Sequence, residues 1–164
     1  ALGAGLTGHL VLSTVHASSA LDVIPRLEQL GASRTLISQS LRLVIGQRLV
    51  ALNCEKCARE SLPSESLAHV FQLEPGVTVV ASTGCSACDD TGLAGRVGVF
   101  EFLPLSDRAK QDIHRGGEIS PECLEQVGFE PYRNQVRTLL TQKKISPSIA
   151  LATIGVAPIL CGYD

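Results

Sequence analysis

The feature that most constrains this chain is a repeated cysteine spacing. Cys54-Glu55-Lys56-Cys57 and Cys85-Ser86-Ala87-Cys88 are both CxxC pairs, with twenty-seven residues between them. A two-residue spacer lets one tight turn aim two thiolates at a single ion, and two such turns close a tetrahedron. Gly84 and Gly92 supply turn freedom around the second pair. Four sulfurs leave no open coordination position, so zinc held by Cys54, Cys57, Cys85 and Cys88 is expected to be structural rather than catalytic. Three other readings stand beside this one: a thiol–disulfide redox pair, two structural disulfides of a secreted protein, and four unrelated buried cysteines. Cys123 and Cys161 have no partner at ligand spacing and read as buried or incidental thiols.

The remaining pattern is globular. Apolar residues make up 45% of the 164 positions and charged residues 18%, which excludes a disordered polyelectrolyte. No apolar run reaches the ~18 residues that suggest a membrane span. The formal net charge of −2 offers no electrostatic basis for nucleic-acid binding. The first residue is not Met, and the chain opens inside what reads as a helix or loop, so a piece of a longer protein is expected.

His9-Leu10-Val11-Leu12-Ser13-Thr14-Val15-His16 is a nearly continuous apolar run that suits a strand buried on both faces of a parallel sheet. Ser18 or Ser19 is placed to cap a helix carrying Ala20, Val23, Ile24, Leu27 and Leu30 at helical spacing, with Gly31 just past its end. Pro25 shortens the start of that helix or kinks it. Ser33 is expected to cap a second helix with Leu36, Ile37, Leu41, Val44 and Ile45 on one face. Strand, helix, helix is one half of an α/β sheet. After Val50 come the cysteine pairs, a loop with Pro63, Pro75 and Gly76, and short strands expected at Val77–Ala81 and Arg96–Phe102. From Leu105 the chain turns helical, with starts at Ser106-Asp107, Ser120-Pro121-Glu122 and Ser146-Pro147. The tail, 157–164, reads as peripheral.

Several motifs occur together in one order. Leu6-Thr7-Gly8-His9-Leu10-Val11-Leu12-Ser13-Thr14-Val15-His16 closely resembles the histidine-box segment of the type II secretion and type IV pilus assembly ATPases. The likeness continues through Arg26-Leu27, Leu30-Gly31 and Gln47-Arg48-Leu49-Val50 into the cysteine pairs. It then runs through Thr91-Gly92-Leu93-Ala94-Gly95-Arg96-Val97-Gly98-Val99-Phe100-Glu101, similar to the family's TGYxGRxGIYE. Co-linear motifs are far more specific than any one alone.

The resemblance implies an α/β fold: the C-terminal part of a RecA-like P-loop ATPase core at 1–52, a tetracysteine zinc subdomain at 53–97, and a strand plus helical C-terminal region at 98–156. It implies a cytoplasmic homo-hexamer, peripheral at the inner membrane, that docks on platform proteins of the secretion or pilus machinery. ATP and Mg2+ are then cofactors of the intact protein. His16 is expected to be the catalytic residue that reads the γ-phosphate. A polar residue at the carboxyl end of a buried parallel strand lies where such sheets bind ligands, which agrees with that role. His9, at the other end of the run, is expected to be structural. Arg48 is expected to contact the nucleotide or a neighbouring subunit, or else to be solvated. His69 and His114 match nothing and are expected to be exposed.

The chain departs from the family pattern at Ala17-Ser18-Ser19, where Thr-Asn-Asp is favoured, and at Ala51-Leu52, where a basic pair is usual. It contains no GxxxxGK[ST] loop and no acidic Walker B strand, so these 164 residues alone are expected to be inactive. A second function class follows from that: a non-enzymatic zinc-stabilised module that docks on a protein partner. A zinc-ribbon nucleic-acid binder is disfavoured by the charge, by the absence of Trp and by the presence of only Tyr132 and Tyr163.

Overall fold

The computed structural model describes residues 1–155; the tail, 157–164, with Cys161, lies outside the described residues. In chain order the elements are α1 (Leu2–Leu6), α2 (Val23–Gln29), α3 (Arg34–Ser40), β1 (Leu43–Asn53), β2 (Ala58–Ser61), α4 (Glu65–Phe71), β3 (Val79–Ser82), β4 (Leu93–Pro104), α5 (Asp107–His114), α6 (Pro121–Gln126), α7 (Tyr132–Thr141) and α8 (Pro147–Thr153). The fold is mixed α/β. β1 pairs with β4, and β2 pairs with β3. The chain forms two compact units, each made of two segments. One compact unit joins Ala1–Gly46 to Glu101–Glu130, and the second joins Gln47–Phe100 to the chain from Pro131 onward. Each unit is therefore closed by a segment distant in sequence, which local pattern does not reveal. No helix among the described residues is long and apolar enough to cross a membrane.

In the first unit, Ile37, Leu103 and Ile113 are fully buried, and Ala20, Val23, Ile24 and Val44 complete the core around them. Pro25 falls in the first turn of α2, where its missing N–H has no helical partner, so it shortens the start rather than kinking the helix. Asp22, not a serine, is the first flanking residue, and the Ser19 hydroxyl accepts from its backbone N–H at 3.3 Å. At the other end, Gly31 N–H reaches Glu28 carbonyl at 2.8 Å and Ala32 N–H reaches Leu27 carbonyl at 3.0 Å, closing the orphan carbonyls of the last turn. Ser33 caps α3 as expected, accepting from Leu36 N–H. That helix stops at Ser40, and Val44 and Ile45 lie on β1, not on the helix. Both are β-branched, and one is buried while the other is exposed, the alternation of a strand. Ser106 caps α5, and Pro121 opens α6 after Ser120.

The run 9–16 is not a strand here. Residues 9–17 carry no regular structure, and Leu10 and Leu12 are 90% and 88% exposed. A strand persists only where its N–H and C=O groups pair with a neighbour. Among the described residues no strand pairs with this segment, and His9 N–H donates back to Ala4 carbonyl in α1 at 3.3 Å. Only Val15 packs on the core of its unit.

The second unit buries Phe71, Leu67, Val79, Val99, Val136, Leu140 and Leu151. β2 and β3 run antiparallel, with Ala58 opposite Ser82 and Ser61 opposite Val79. β3 starts two residues later than expected, and β4 extends past the expected Arg96–Phe102 at both ends. The stretch read as a loop holds α4, capped by the Ser64 hydroxyl accepting from Leu67 N–H. The Gln135 side chain behaves as a substitute strand. Its carbonyl accepts from Phe100 N–H at 3.0 Å, and its amide donates to Phe100 carbonyl.

The two faces of α4 yield a direct test. Phe71→Ala should destabilise the second unit by about 3–5 kcal/mol, while His69→Ala, on the exposed face, should stay within about 0.5 kcal/mol. Denaturant unfolding of both variants checks this; equal, small effects would return 65–71 to a loop.

Candidate functional site

The four cysteines of the two CxxC pairs converge in the second unit. The β2–β3 register brings this about: Cys57 directly precedes β2, and Cys85 follows shortly after β3, so both turns sit at one end of the hairpin. The intervening residues leave on an excursion through α4 and return. All four sulfurs lie within 4.8 Å of one another. Cys54 Sγ is 3.9 Å from Cys85 Sγ, Cys57 Sγ is 3.9 Å from Cys88 Sγ, and Cys85 and Cys88 Sγ are 3.7 Å apart. A tetrahedron of sulfurs at the ~2.3 Å bond length of a thiolate-bound zinc has edges of about 3.8 Å. The separations are nearly twice a disulfide bond length, and all four thiols are free. The donor set is therefore close enough, and of the right spacing, to bind one metal ion.

The second turn is held tightly. Cys85 N–H and Gly92 N–H donate to Cys88 Sγ at 3.3 and 3.2 Å, and the Thr91 hydroxyl donates to Cys88 carbonyl at 2.6 Å. Gly84 and Gly92 have φ of +95° and +72°. A Cβ on Gly84 would lie 2.5 Å from Asp90 carbonyl oxygen, and one on Gly92 2.8 Å from Ser82 carbonyl oxygen. Glycine is thus required at both by conformation and by space. Cys54 is fixed by its N–H to Gly92 carbonyl at 2.8 Å and by its carbonyl, which accepts from the Ser82 hydroxyl at 3.2 Å.

The electrostatics of the cluster are uneven. The backbone contact at Ala87 favours a Cys85 thiolate, but burial and the sulfurs of Cys88, Cys54 and Cys57 push that thiol up to about 11. Burial opposes ionisation of Cys88, yet the N–H groups of Cys85 and Gly92 together with the sulfurs of Cys85 and Cys54 hold the thiol down to about 7. Four like charges cannot gather at these distances without a cation among them.

The other expected site residues lie elsewhere. His16 is exposed, in the first unit. The residues beside it are anchored: Val15 packs on the core, and buried Ala20 donates its N–H to Glu101 Oε2 at 2.8 Å. His9 is exposed and meets the Thr7 hydroxyl at 3.0 Å through Nδ1; His69 and His114 are exposed, as expected. Arg48, in the second unit, is turned inward. Its guanidinium donates to Thr153 carbonyl and lies 4.9 Å over the Tyr132 ring centroid. Cys123 is buried beside the Ser106 hydroxyl at 3.3 Å. Sequence reasoning gave Glu101 no role of its own. It ends the Thr91–Glu101 motif, and its burial, at 3% exposure, marks it as more than a strand residue.

A sequence profile described as "Type II/IV secretion system protein" matches residues 1–146. The chain is 41% identical over 130 residues to Type II secretion system protein E of Klebsiella pneumoniae, covering 79% of this chain and 26% of that protein. It is 37% identical over 128 residues to Type II secretion system ATPase E of Vibrio cholerae, covering 76% and 25%. It is 35% identical over 132 residues to the type IV pilus assembly ATPase PilB of Myxococcus xanthus, covering 74% and 23%. The chain spans about a quarter of the length of these relatives. With its motifs, its cysteine cluster and these relatives in agreement, the chain belongs to the type II/IV secretion system protein family.

Proposed function

We propose that this chain is the C-terminal portion of a hexameric motor ATPase that couples ATP hydrolysis to type II protein secretion or type IV pilus assembly. The family match over residues 1–146 carries the reading, and relatives named as ATPases on both the secretion and the pilus side support it. In the intact motor, water attacks the γ-phosphate in line. A bound Mg2+ would supply charge neutralisation there, and the phosphate-cradling loop would come from outside these 164 residues. From this chain, the His16 imidazole donates a hydrogen bond to a phosphate oxygen and responds to its loss. The RecA-like core would supply neighbours for the exposed run 9–16, whose apolar residues suit a strand paired on both sides. The motor would work in the cytoplasm, at the inner membrane, against the platform proteins there. Arg48 would contact the nucleotide or a neighbouring subunit from its place over Tyr132, where its guanidinium also donates to Thr153 carbonyl.

The cysteine cluster holds zinc in this proposal. Its four sulfurs and edge lengths suit a closed, structural site that welds the two turns together.

Elemental analysis of purified protein should therefore give one zinc per chain. Cys85→Ser should abolish it and raise amide exchange across 53–97 before the first unit is affected, since the binding free energy contributes to folding. Metal-free protein with freely titrating thiols would exclude the site. The 164-residue chain by itself should show no ATP turnover above background, because lysine, magnesium and backbone cradle act together. In the intact motor, His16→Ala should lower kcat by ~10² to 10³-fold with nucleotide affinity nearly unchanged. Steady-state kinetics decides this, and normal turnover would reduce the histidine to a surface residue.

A further inference from the structure

Glu101 is a buried carboxyl group in the first unit with no part in the chemistry described so far. It is 3% exposed, on the last third of β4. Its Oε2 accepts the backbone N–H of Ala20 at 2.8 Å, across 81 positions of sequence. A carboxylate is removed from water only at a large cost, and a main-chain N–H aimed at it is among the stronger compensating partners. Ala20 itself is fully buried and belongs to the core of that unit. A second brace follows: the Ser19 hydroxyl donates to the Asp22 carboxylate at 2.8 Å and accepts from Asp22 N–H at 3.3 Å. On the other side of His16, Val15 packs on the same core. The short exposed loop that bears His16 is thus pinned at both ends, and no regular element supports it in between.

We infer that Glu101 is a positioning residue for His16: its carboxylate ties the loop at Ala20 to β4 and so fixes where the imidazole stands. This rests on His16 acting in catalysis as proposed above. Glu101 does not touch the nucleotide. It acts through the backbone of the loop, so its loss should leave substrate binding intact and misplace one transition-state contact. A misplacement of about 1 Å by a group remote from the chemistry costs up to ~10²-fold in rate.

The test is a double-mutant cycle in the intact motor, with Glu101→Ala, His16→Ala and the pair, together with amide exchange at Ala20. Glu101→Ala should lower kcat by ~10 to 10²-fold with KM little changed. It should add almost nothing in the His16→Ala background, because a positioning residue has nothing left to position. Ala20 N–H should be protected in the wild type and should exchange much faster in Glu101→Ala, while Ile37 and Ile113 amides keep their protection. Glu101→Gln keeps an acceptor oxygen in place and should recover most of the lost turnover. If Glu101→Ala fails to fold, Glu101→Asp carries the same cycle, since it keeps the charge but shortens the arm by one methylene. Losses that add in full to those of His16→Ala, unchanged kcat in Glu101→Ala, or fast wild-type exchange at Ala20 each overturn the inference. Normal turnover in His16→Ala overturns the sensor reading and the coupling together, whereas additive losses beside an impaired His16→Ala overturn the coupling alone.

Discussion

The second unit depends on the register of one short hairpin. β2 and β3 pair antiparallel, with Ala58 opposite Ser82, and that register alone sets two tight turns side by side. A shift of one residue would flip every side chain to the other face of the hairpin and carry the sulfurs apart. The thiols reinforce the register in return. Sulfurs 3.7–3.9 Å apart, as Cys54–Cys85, Cys57–Cys88 and Cys85–Cys88 are, would leave no slack for slippage once a cation bridged them. The backbone is preshaped for this. Glycine at 84 and 92 admits close approach of Asp90 and Ser82, and N–H groups from Cys85 and Gly92 point at the Cys88 sulfur. The long spacer costs little, because closure entropy grows only slowly with loop length. What fills it, α4 with Leu67 and Phe71 buried, returns apolar contact to the core of the unit.

The two units share a constructional habit: each is completed by chain from far along the sequence. In the first, Leu103, Ala109 and Ile113 close over Ile24 and Ile37. In the second, Val136, Leu140 and Leu151 close over Val50, Leu67 and Phe71. A polar example in the first unit is Glu101, whose carboxylate meets Ala20 N–H from 81 positions away. A polar example in the second is Gln135, which satisfies both main-chain groups of Phe100. Buried backbone groups must find partners, and here side chains supply what a further strand would otherwise give.

Much of the local structure was legible because its causes are local. Ser33, Ser106 and Ser146 each accept an N–H three residues on, and Pro121 and Pro147 sit where a missing N–H costs nothing. Helix α4 is masked in the sequence although Ser64 signals it, because Pro63 and Pro75 on either side read as loop. Leu36, Ile37 and Leu41 set up a helical rhythm that the spacing of Val44 and Ile45 happens to continue. Pairing with β4 overrides that rhythm. The run 9–16 differs the other way: its composition is that of a strand, but a strand is a relation between two segments, and among the described residues no strand pairs with it.

The sequence by itself determined the spacing of the thiols, the helix starts at Ser33, Ser106, Ser120 and Ser146, and the family. Thiol spacing, capping side chains and the order of motifs are properties of neighbouring residues and survive any choice of tertiary arrangement. Only the tertiary structure decided that the four thiols meet, that Arg48 turns inward to Tyr132, and that Glu101 holds the loop after His16. Each of these joins residues tens of positions apart. Their proximity follows from which apolar surfaces bury one another, and that is set by the whole core rather than by any segment of it.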